Sequence, residues 1–278
     1  MYKIEILLLW ITVACYAISS GLYIYGLVFQ KEKSIKWATM ISLAGLIPHS
    51  ASLVLRWVES GHGPYITFYE VATSDAWVAV VAFLLFQVLY PRLKAIGTII
   101  MPVSFLLIGL GVMSSPEIYQ IPTTFRTYWL IIHIFFAKLA FGPILIATAL
   151  SFFYLLKTRS KGELDSHHIL TALPNAPTLD ELSYRFMAFG FINLGIMIAA
   201  GSIWAEYAWG RYWGWDPIET WSLISWLLYG MYLHLRLKVG WRGKKLAWFA
   251  LGSFLILLFS IFGVVFLYHS VHSAYLRK

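Results

Sequence analysis

Cysteine is nearly absent from this chain: Cys15 is the one copy in 278 residues, and it lies inside the first apolar stretch. A single thiol excludes an internal disulfide, a CxxC redox pair and a CxxCH haem-attachment motif, so the chain is not itself a c-type cytochrome. Charge is scarce as well, at 12% of residues, and negative charge scarcest, with 13 Asp and Glu against 21 Lys and Arg. A chain so poor in charge does not build a water-soluble domain. Apolar residues take the place of charge: 60% of the chain is hydrophobic, 18% aromatic, and mean hydropathy is +0.72. The fold class this implies is an all-α polytopic membrane protein.

Apolar runs near the roughly 20 residues needed to cross a hydrocarbon core recur along the chain. About eight crossings are expected, over 7–29, 38–58, 71–90, 96–113, 129–156, 186–204, 218–237 and 246–268. The first is long for a cleavable signal and has only Lys3 as a basic leader, so it reads as a retained helix. The net charge of +8 invites a nucleic-acid reading, but its distribution assigns it to topology. Lys31, Lys33 and Lys36; Arg92 and Lys94; Lys157, Arg159 and Lys161; and Arg236, Lys238, Arg242, Lys244 and Lys245 occupy alternate loops. Such loops stay cytoplasmic, and no nucleic acid is implied.

Segments 59–70, 114–128 and 205–217, the tail after Tyr268 and both termini are then extracytoplasmic. No linker, low-complexity tract or repeat divides the chain, which reads as a single membrane domain over 1–278. In the inner loop, Thr178 and Glu181 behind Pro177 have the spacing of a capping box for the sixth crossing.

Histidine is costly in a membrane and therefore informative. His167 and His168 fall in the polar inner loop and read as a solvated pair. His133 lies a few residues into the fifth crossing and His272 just past the eighth, so topology places both near the outer surface. Iron in a planar macrocycle accepts one imidazole on each face, so two histidines at one depth can clamp a haem. For either alone the plainer reading is a hydrogen-bonded interfacial histidine; as a pair they are candidate ligands. His234 stands 18 residues beyond Asp216, about 27 Å deeper along a helix. His49 sits midway along the second crossing, where an ionisable group is by default a functional candidate.

Between the sixth and seventh crossings the chain reads WGRYWGWDPIETW, from Trp209 to Trp221. Tryptophan gathers at membrane interfaces for reasons unrelated to any ligand, which suffices for Trp10, Trp57, Trp77 and Trp129. Here, however, Trp209 and Trp213 are four apart and would share a helical face, with Gly210 and Gly214 leaving room for close approach. A flat surface for a flat ligand is expected. Asp216 before Pro217 has equal claim as a helix cap, with Glu219 in the first turn, and as a ligand contact.

This segment resembles the WGxxWxWDPxETW signature of the tryptophan-rich WWD haem-handling proteins. Within them the chain is most similar to the CcsA/ResC family of system II cytochrome c biogenesis. RWVESGHGP from Arg56, Tyr69-Glu70, TLDELSYR from Thr178 and the end from Leu267 to Tyr275 carry the resemblance further.

The resemblance implies a protein that moves haem b across the membrane and presents it at an external site for attachment to an apocytochrome c CxxCH. His133 and His272 match the family's two external axial ligands, with residues 205–221 as the haem-cradling WWD segment and Trp209, Trp213, Trp215 and Asp216 as its contacts. His269 is a weaker candidate for the external site. His234 matches an intramembrane ligand, with His49 a second candidate or a structural histidine, and His62 could line the outer site. Arg56, Arg126 and Arg211 could pair with haem propionates. No acid or base catalyst is implied. The expected role is the haem-binding subunit of a cytochrome c synthase, acting with a CcsB/ResB-like membrane protein and thiol-reducing proteins. The host would be a bacterial plasma membrane or a thylakoid. Two rivals stand beside it: a haem exporter or assembly factor without synthase activity, and a di-haem membrane electron-transfer protein.

Overall fold

The computed structural model describes residues 2–120, 122–159, 169–272 and 276; His167 and His168 lie outside them. No strand occurs among the described residues. The chain forms α1 (Tyr2–Val28), α2 (Glu32–Ser60), α3 (Phe68–Leu89), α4 (Gly97–Val112), α5 (Tyr128–Arg159), the single turn α6 (Ile169–Ala172), α7 (Ala176–Trp209), α8 (Pro217–Leu237), α9 (Lys244–Leu258) and α10 (Val264–Leu267). A 3₁₀ turn, Pro91–Ile96, leads into α4, and a π-helical turn, Phe259–Gly263, joins α9 to α10.

Among the described residues, seven helices are long and apolar enough to cross a membrane; they coincide with seven of the eight expected crossings. The remaining expected crossing coincides with α8, a helix of 21 residues that is not among these seven. Glu219, His234 and Arg236, together with its Ser, Trp and Tyr content, dilute its apolarity. The protein is a multi-pass membrane protein.

Local signals start and stop these helices. Thr67 caps α3 by accepting from the Glu70 N–H, and Glu70 reaches back to the N-cap amide. Asn175 caps α7 by accepting from Thr178 N–H at 2.9 Å. The expected Thr178–Glu181 box is therefore displaced: the helix starts one turn earlier, because Asn175 followed by a proline inside the first turn is the stronger start signal. Glu181 instead joins Asp180 in holding the Arg236 guanidinium, which ties the start of α7 to the end of α8.

Packing sets the helices in neighbouring pairs: α1 on α2, α3 on α4, and α5 against α7 and α9. The end of the bundle carrying the 61–67 loop is fastened by a buried ion pair between Arg56 Nε and Glu70 Oε1 at 2.8 Å. The remaining guanidinium nitrogens donate to the carbonyls of Pro116 and Glu117. Glu70 Oε2 accepts from the amides of Tyr65, Ile66 and Thr67. Two loops are thus hung on one pair of charges.

Candidate functional site

A cavity of about 250 Å³ opens where α5, α7 and the start of α8 meet, at the same end of the bundle as that ion pair. Both His133 and His272 line it, 139 positions apart in sequence. Trp204 contacts both, stacked on the His133 ring at 6.2 Å and 20° and tilted against the His272 ring at 6.0 Å.

His133 projects from α5 toward α7, where its Nδ1–H donates to the Met197 carbonyl at 2.8 Å. That carbonyl fixes the tautomer, because a carbonyl can only accept, and it leaves Nε2 with its lone pair free. The approach is possible because position 201 is glycine: a Cβ there would stand 2.5 Å from His133 Nδ1.

His272 is held from the opposite direction. Its Nδ1 lies 3.1 Å from Asp216 Oδ1. The same carboxylate caps α8 by accepting from Ile218 N–H and takes the Val271 N–H on its other oxygen, each at 3.0 Å. Burial would raise the Asp216 pKa, but the His272 hydrogen bond and charge and the two amides outweigh it, and the carboxyl lies below its ordinary value. Both histidines therefore have Nδ1 engaged by an oxygen acceptor and Nε2 available. Metal-binding imidazoles are oriented in this way.

The tryptophan segment serves this site differently from the expectation. Gly210, with φ of 70°, ends α7 in the left-handed conformation, so Trp209 and Trp213 do not share a helical face. Trp213 lines the cavity; Trp209 stands behind His272, with ring centroids 4.7 Å apart. Trp215 is 70% exposed and points away, its own φ at 55°. Glu219 Oε2 imposes that turn by accepting from the amides of Gly214 and Asp216, the residues flanking Trp215. Asp216 acts as cap and as histidine partner together. Trp204, five residues ahead of the signature, is the buried indole that sequence reasoning missed.

Other histidines are placed elsewhere. His49 is fully buried between helices; its Nε2–H donates to the Thr73 carbonyl and its Nδ1 accepts from the Tyr16 hydroxyl, both at 3.1 Å. With both nitrogens taken, its geometry is structural. Both ring nitrogens of His62 likewise face carbonyls, of Gly63 and Tyr119. His234 is exposed near the far end of α8, and His269 is exposed beyond α10. Of the arginines, Arg56 is consumed by Glu70 and the two carbonyls, whereas Arg126 and Arg211 are exposed.

Residues 65–272 match the family model described as cytochrome C assembly protein. The chain belongs to this family. The matched region begins at Tyr65 and ends at His272, both of which line the cavity. Within the family the chain is of the CcsA type and is a cytochrome c biogenesis protein. It is 32% identical over 275 residues to the cytochrome c biogenesis protein CcsA of Guillardia theta, covering 90% of each chain. To CcsA of Prochlorococcus marinus (strain MIT 9301) it is 31% identical, with 89% of this chain and 87% of that one covered. The solved structure of cytochrome c heme lyase CcmF superposes with a TM-score of 0.69 at 16% identity, over 93% of this chain and 46% of the other. At that identity the likeness is one of fold, to about half of a longer protein.

Proposed function

We propose that this protein holds haem as a substrate between His133 and His272 and presents it for covalent attachment to an apocytochrome c. The single observation that carries this reading is the matched anchoring of the two imidazoles: each has Nδ1 on an oxygen acceptor, and both line one cavity. Metal sites orient their histidines in this way. An iron porphyrin needs one nitrogen on each face and supplies the other four ligands itself. The names of the similar proteins, cytochrome c biogenesis protein and cytochrome c heme lyase, support haem as the ligand.

Trp204 and Trp213 line the cavity, while Asp216 holds His272 in register. The acceptor histidine of a CxxCH segment displaces one bound imidazole and draws the haem beside the two thiols. Each thioether then forms by addition of S–H across a haem vinyl. The protein contributes proximity and orientation. The cavity end of the bundle faces the extracytoplasmic side, opposite the basic loops. His234, at the far end of α8, serves the haem on its passage through the membrane, with a CcsB/ResB-like partner supplying the second ligand there. A thiol-reducing protein keeps the acceptor cysteines available.

Co-expression with such a partner and a CxxCH reporter tests the reading. Covalent haem on the reporter is expected with the intact protein and absent when either His133 or His272 is alanine. Attachment undiminished in both variants contradicts it.

A further inference from the structure

An ion pair in the same cavity has no part in holding a metal. Lys138, on α5, donates from Nζ to Asp75 Oδ1 on α3 at 2.6 Å and to Ser74 Oγ at 2.7 Å. Both Lys138 and Asp75 line the cavity. Among the described residues lining it, Lys138 is the one lysine or arginine. It lies inside a helix apolar enough to cross the membrane, where an ionisable side chain is expensive and points to a ligand or a pathway.

The third ammonium proton is poorly used. Its acceptor is the Val71 carbonyl at 3.4 Å, a long contact beside the two short ones. Ser74 Oγ is occupied as well, since its own hydroxyl points at carbonyls of α3 and the preceding loop. An ammonium on a flexible four-carbon stem can redirect one proton with little rearrangement, and the strongest acceptor for it is a carboxylate. Lys138 stands five residues after His133 on α5, so a ligand whose metal sits at His133 has its periphery within reach of this helix.

We propose that Lys138 is a carboxylate-binding subsite of the cavity, with Asp75 and Ser74 holding its ammonium in place. The ligand class is a metal macrocycle bearing free carboxylates, and the group held is one propionate. This rests on the haem-holding reading above and adds the orientation of the bound ring. The carboxylate edge turns toward α3 and α5, and the opposite edge turns toward the tryptophan segment.

The test compares haem with haem dimethyl ester, which keeps the iron and the ring and lacks the carboxylates, on the detergent-purified full chain. The intact protein is expected to bind haem about tenfold more tightly than the ester, the scale of one hydrogen bond between charged groups. Because Lys138→Met alone strands a buried carboxylate, the deciding variant is K138M with D75N, which removes both charges. That variant is expected to keep the bis-histidine spectrum and to bind the two compounds equally. D75N alone, which keeps the ammonium, is expected to discriminate at least as well as the intact protein. No discrimination by the intact protein, or undiminished discrimination in the double variant, overturns the subsite. Failure of the intact protein to give a bis-histidine spectrum with either compound overturns the haem-holding reading instead, and the subsite falls with it.

Discussion

Asp216 Oδ1 lies 3.1 Å from His272 Nδ1, so the residue that caps α8 also aims the His272 ring. A helix cap and a candidate metal ligand are thereby one structural unit. Fifty-six positions of sequence separate them, and the fold closes that distance with a single carboxylate that also binds the Val271 amide.

Replacing Asp216 by alanine is expected to lower stability by about 1–3 kcal/mol, for the lost cap and the stranded amides. It should also weaken haem retention, by freeing the His272 ring. The milder Asp216→Asn keeps one acceptor oxygen, enough for one of the two amides, and should lose retention with less loss of Tm. Acid adds a check of sign. The folded-state pKa of Asp216 is lowered below its ordinary value of 3.8, so its contribution is fully present above that value. It is lost as pH falls through the folded pKa. The Tm gap between the intact protein and Asp216→Asn should therefore close only at strongly acidic pH; a gap already closed at neutral pH contradicts the assignment.

Gly201 is the counterpart for His133. A Cβ there would meet the imidazole at 2.5 Å, and the atoms met belong to a ring whose Nδ1 is already fixed by Met197. Gly201→Ala is expected to leave helical content unchanged by circular dichroism and to perturb the haem spectrum. Gly201→Val should abolish it. An unaltered spectrum in both variants would show that His133 need not sit where α7 places it.

The tryptophans separate cleanly by position. Trp204, 6% exposed and in contact with both histidines, is expected to cost haem retention and about 3–5 kcal/mol of stability on truncation to alanine. Trp215, 70% exposed, is expected to change the bound spectrum of the purified protein not at all. Absorption titration of the two variants checks this, and equal losses contradict the geometry.

Arg56→Ala is expected to destabilise by about 3–5 kcal/mol, because it leaves Glu70 charged and buried and releases the carbonyls of Pro116 and Glu117. Thermal unfolding in detergent measures it. A Tm within a degree of the intact protein would mean the two loops are held by other means.

The crossings were legible because hydrophobic length is a local property, and the observed helix ends fall within a few residues of most expected ones. α7 departs furthest: its start, ten residues before the expected 186, follows the Asn175 cap rather than the apolar run. That His133 and His272 line one cavity was legible from their shared depth in the expected crossings. The division of labour among the tryptophans was not. It depends on Gly210 turning left-handed at the end of α7 and on Glu219 forcing Trp215 outward, and neither follows from residue spacing. Lys138 and Asp75 stand 63 positions apart on two different helices, so their meeting is a product of packing that a linear reading does not reach. Arg56 was open to view as an outer-side cation, yet its partners come from two separate segments, α3 and the 116–117 loop.

The most direct test of the haem-holding account is the absorption spectrum of the purified protein with His133 and His272 each, and then both, replaced by alanine. The account predicts a bis-histidine spectrum for the intact protein, a weakened or single-ligand spectrum for each single variant, and loss of this signal in the double variant with helical content retained. A bis-histidine spectrum undiminished in the folded double variant would contradict it.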